Sequence, residues 1–97
     1  MTDYYEQERQ GTEAQGVLES PLIQEWFQQI DQHLIDTLKA TSLKDAEGRE
    51  KIHSLMWATD RLRTHIQATI DAGKVATEML KPMRKPLGEK LKEWIQI

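Results

Sequence analysis

The chain has no cysteine, which removes disulfides, zinc–thiolate and iron–sulfur sites and a thiol nucleophile from consideration. It also has few aromatics, with three Trp, two Tyr and a single Phe among 97 residues. A core built from so little must be thin, and a domain this small buries a modest fraction of its surface to begin with. Only three prolines and five glycines interrupt the sequence, so long uninterrupted elements are expected. No apolar run approaches the eighteen or so residues that cross a bilayer, and no basic-then-apolar opening reads as a signal peptide. A cytoplasmic protein is the expectation, with no membrane partner.

The net charge of −3 hides a gradient. Residues 1–31 carry one Arg against seven acids, residues 32–73 balance six against six, and residues 74–97 carry six bases against three acids. A nucleic-acid-coating protein would be basic over a whole face, so nucleic acid is not an expected partner. The acidic head and basic tail favour head-to-tail attraction, within one chain or between copies.

Periodicity indicates an all-α fold. Ile23, Trp26, Phe27, Ile30, Leu34 and Leu38 recur three and four residues apart, marking one face of a helix over about residues 20–40 that opens at Ser20-Pro21. Residues 45–72 contain no Pro and one Gly. Their stripe is Ile52, Leu55, Met56, Thr59, Leu62, Ile66 and Ile70. Asp45 or Ser42 is the expected cap, and Asp45/Arg49 and Glu47/Lys51 are acid-before-base pairs four apart. The turn between the helices, with Leu43 packed beneath it, is short enough to make them antiparallel neighbours. Ala72-Gly73-Lys74 reads as a helix stop, with continuation to Leu80 as the alternative; Pro82 ends the pattern either way.

Three segments follow: a flexible or weakly helical acidic arm over 1–16, a helical hairpin over 17–80, and a basic amphipathic segment over 81–97. In the last, Leu87, Leu91, Trp94 and Ile95 share a helical face flanked by Lys90 and Lys92. The expected architecture is an antiparallel hairpin with a C-terminal amphipathic helical extension, completed by homo-oligomerisation because the core is small.

No catalytic constellation emerges. His53 and His65 lie about 120° apart on their helix, His33 lies on the other helix, and no paired-histidine spacing suits a metal. Ser54 beside His53 has no acid partner or Gly-rich turn, and no phosphate loop is present. Catalytic, cofactor-binding and metal-ligating residues are therefore all assigned as none. Asp31, Asp36, Asp60 and Asp71 read as solvated charges, and Arg63, bordering the stripe, as a side chain that snorkels or pairs across the hairpin. The residues assigned to interaction are Trp57, Arg61, Leu91, Trp94 and Ile95. Trp57 sits about 175° from the centre of its helix's stripe, with Arg61 one turn on and able to stack over the indole. Trp and Arg dominate the energetics of protein interfaces.

The run Asp45-Ala46-Glu47-Gly48-Arg49-Glu50, followed by Leu55, Arg63, His65-Ile66 and Ala72-Gly73-Lys74, resembles short uncharacterised α-helical proteins of tailed phages and prophages. In them an acidic helix precedes one that opens and closes in a similar way. The resemblance covers roughly residues 17–80 and implies a phage context without an activity. Arg49-Glu50-Lys51 and Met56-Trp57-Ala58 are similar to segments of small helical phage proteins that sequester cyclic-nucleotide signals, but their His-Pro-Pro-Lys element is absent and the spacing differs. The leading expectation is a non-enzymatic protein–protein interaction or assembly protein, such as a virion or packaging accessory. The alternatives are an inhibitor of a host defence or transcription protein and a nucleotide-sequestering oligomer.

Overall fold

A computed structural model describes residues 3–84. It is all-α, as the periodicity predicts, and the described residues form three helices: α1 (Tyr4–Glu19), α2 (Pro21–Ala40) and α3 (Ala46–Leu80), closed by a 3-10 turn at Lys81–Met83. The sequence places α1 and α2 end to end along α3, whose 35 residues span about 52 Å. The result is one hairpin, two helices wide and one layer deep.

Each boundary has a local cause. Asp3 caps α1 by accepting the Glu6 amide at 3.1 Å, and Asp45 caps α3 by accepting the Gly48 amide at 2.9 Å. Committed to the cap, Asp45 makes no ion pair with Arg49, whereas Glu47 and Lys51 pair at 3.6 Å. Between α1 and α2 stands Ser20, extended at φ −61° and ψ 122°, because the residue before a proline is held out of the helical region. Its side chain makes no capping bond, so Pro21 alone starts α2.

The Ser20 break solves a problem of phase. Leu18 and Phe27 both face α3 and are half-buried, yet nine residues of unbroken helix would set them about 180° apart. One extended residue rotates α2 so that both helices meet the same partner. On α3 the line toward them is Ile52, Met56, Thr59, Arg63, Ile66, Ile70, Gly73, Thr77 and Leu80, alternately four and three residues apart and none fully exposed. That is the seam of an antiparallel coiled coil.

Three expectations are corrected here. Residues 4–16 form a packed helix rather than a flexible arm. Their interface with α3 is built from small residues, which composition disguises as a weak segment. Gly73 does not stop the long helix: α3 continues to Leu80, and Gly73 is buried against Gly11. A Cβ on Gly11 would lie 2.7 Å from the Gly73 Cα, and one on Gly73 would lie 2.7 Å from the Gly11 Cα, so neither position has room for a side chain. Leu43 is 85% exposed instead of packing under the turn.

The core is as thin as the composition implies. Among the described residues, the buried apolar side chains are Leu34, Ile52, Ile70, Ala76 and Leu80.

Candidate interaction surface

The seam uses only part of the apolar stripes. Trp26, Ile30, Leu55 and Leu62, expected in the core, are exposed, as is Leu22. Their positions share one rule. Leu22, Trp26 and Ile30 immediately precede the α2 residues Ile23, Phe27 and Asp31 that border α3. Leu55 and Leu62 immediately precede the seam residues Met56 and Arg63. A residue one position before the seam is rotated about 100° from it. In antiparallel helices that rotation points to the same side of the hairpin. The five residues therefore share a face, with Ala58 among them and His33, Thr37, Lys51 and His65 at its margins. Residues one position after the seam lie on the opposite side: Gln24, Gln28, Gln32, Asp60, Thr64 and Gln67, a mostly polar face in which Ile35, after Leu34, is an exposed apolar exception.

Trp57 belongs to this second side. It is 63% exposed, and the Arg61 guanidinium lies 5.5 Å from the centre of its ring. Both residues stand on the edge of α3 turned away from α2, and neither takes part in the seam. Leu91, Trp94 and Ile95, the other residues assigned to interaction, lie outside the described residues.

Arg63 crosses the hairpin, as expected of a cation bordering the stripe. It donates to the Asp31 carboxylate at 2.6 Å and to the Phe27 carbonyl at 3.4 Å, while its guanidinium covers the Phe27 ring at 4.7 Å. It also reaches Asp60 at 3.2 Å. Asp31 and Asp60 are therefore ion-paired, not merely solvated charges. A shallow groove between Leu18, Pro21, Phe27 and Arg63 opens beside this cluster.

A second polar cluster, unforeseen in the sequence, ties the hairpin's open end. Arg84 makes a two-pronged ion pair with Glu8, at 2.8 Å and 2.6 Å, and lies 5.5 Å from the Tyr5 ring. The Thr77 hydroxyl donates to the same carboxylate at 2.6 Å. These bonds from Arg84 and Thr77 hold the Glu8 carboxyl below the usual glutamate range. One base of the basic tail, Arg84, thus pairs with the acidic head within the chain; the only sequence signal for this pair was the charge gradient. On the same helix, Arg9 bridges Glu6 and Glu13 along the exposed side of α1.

Among the described residues no group of three or more His, Asp or Glu side chains is placed to hold a metal, and no helix is long and apolar enough to cross a membrane. No protein-family model, curated protein or solved structure matches the chain.

Proposed function

We propose that the chain is a non-enzymatic helical module for protein–protein contact, acting as an assembly accessory and offering Trp57 and Arg61 to a different protein. The observation that carries this reading is the Trp57–Arg61 pair itself, a large exposed indole with a guanidinium over it, on an edge where it adds nothing to the hairpin. A stacked Trp–Arg pair presents a broad rigid contact area with hydrogen-bond donors, the combination that anchors protein interfaces. The resemblance of residues 17–80 to small phage proteins supports a virion or packaging role, and the host cytoplasm or the particle as its location.

The test is affinity capture from the cognate host or phage lysate with the wild-type chain and with Trp57→Ala and Arg61→Ala. Both variants are expected to keep wild-type far-UV circular dichroism and melting temperature while losing one reproducible partner. A melting temperature that collapses in Trp57→Ala would place the residue in the fold instead. A Trp fluorescence change with nucleotides, abolished by Trp57→Ala, would replace the protein-contact reading with ligand sequestration.

A further inference from the structure

The face formed by Leu22, Trp26, Ile30, Leu55 and Leu62 has no cover within the described residues, and we infer that a second copy of the chain covers it, two hairpins packing face to face as a four-helix bundle. Three observations select this occupant.

The first is reach. The remaining segment, residues 85–97, departs beyond Arg84, which Glu8 holds at the open end of the hairpin. From Leu80 back to Leu62 is about 27 Å along α3, and Leu55 is about 10 Å further. Even if residues 85–97 turned back as a helix, they would span at most about 20 Å. Such a helix stops short of Leu62 and of Leu55; an extended run of these residues could span roughly 43 Å, but a single strand is too narrow to cover a face two helices wide.

The second is area. The α2 half of the hairpin is 20 residues long, about 30 Å, and two helices abreast are about 20 Å wide. Its face offers roughly 600 Å² per chain, or about 1,200 Å² in a pair, the lower end of the range for stable specific interfaces.

The third is chemistry. The face is apolar at its centre and carries His33, Thr37, Lys51 and His65 at its margins, an apolar core with a polar rim. A two-fold pairing of identical patches brings apolar residues against apolar residues without burying an unpaired central charge. It also supplies what the hairpin lacks, since only Leu34, Ile52, Ile70, Ala76 and Leu80 are buried apolar side chains in the described residues.

Trp57 and Arg61 stay outside this contact, so the two surfaces can be tested apart. Sedimentation velocity on the full-length chain should give twice the 11.3 kDa chain mass. Leu55→Lys and Leu62→Lys, both at sites more than half exposed in the single chain, should raise the dimer dissociation constant more than about tenfold. Trp57→Ala should leave it unchanged. A readout independent of how the lysine variants fold uses the absence of cysteine. A thiol at Ala58→Cys should become at least about tenfold less reactive as protein concentration rises through the dimerisation range, whereas one at Thr64→Cys on the opposite face should not. A wild-type chain that stays monomeric overturns the inference, leaving the face to a different protein or to another arrangement of the tail. So does a dimer indifferent to both lysines, or equal thiol protection at both positions.

Discussion

Gly11 and Gly16 lie five residues apart on one helix and face opposite demands. Gly11 meets the Gly73 backbone, whereas a Cβ on Gly16 would meet nothing within 4 Å. Gly11→Ala should therefore cost about 1–3 kcal/mol by forcing α1 away from α3. Gly16→Ala should stabilise by about 0.5–1 kcal/mol, because alanine is the better helix former. Thermal melts of the two variants should move in opposite directions; equal shifts would mean that the close approach is not a constraint. Glu8 makes a second residue-scale prediction. Its carboxyl titrates below its ordinary value of 4.5, so the contribution of its ion pair is complete above about pH 4.5 and is lost as pH falls through the lowered value. Stability measured between about pH 5 and pH 3 should fall less steeply in Glu8→Gln than in the wild type. Neither residue's role was legible in the sequence, where the charge gradient gave the only hint of the second. A glycine that serves contact and one that serves nothing look alike as letters, and Glu8 and Arg84 are 76 positions apart in the chain.

At the scale of elements, periodicity located α2 and the start of α3 correctly, because apolar spacing reports directly on a helix that buries one side, but it stopped α3 eight residues early at Gly73. It misjudged α1 because over residues 4–16 α1 packs through Gly11 and Ala14, and only at Leu18 through a large apolar side chain. It also read a wider core than one partner helix can cover. The stripes included Trp26, Ile30, Leu55 and Leu62, yet an antiparallel pair encloses only a narrow line, and the surplus became a face. The junction at Ser20-Pro21 brings a prediction of its own. The double change Ser20→Ala, Pro21→Ala favours one continuous helix, in which the faces of α1 and α2 that meet α3 would diverge by about 180°. It should lower the melting temperature although both substitutions raise helix propensity. A higher melting temperature would show that the break is dispensable.

At the scale of the whole molecule, one physical mismatch dominates. A single-layer hairpin with five buried apolar side chains in its described residues leaves a comparable set on one outer face, while the polar opposite side carries Trp57 and Arg61. The sequence could show that apolar residues exceed what one hairpin needs; only the packing shows which side the surplus occupies. If that face is half of a shared core, folding and association are linked, and stability must follow mass action. The most direct measurement is the melting temperature of the wild-type chain over about a hundredfold range of protein concentration. The expected result is a midpoint that climbs steadily with concentration. A midpoint independent of concentration, in a chain that sediments as a monomer throughout, would contradict it.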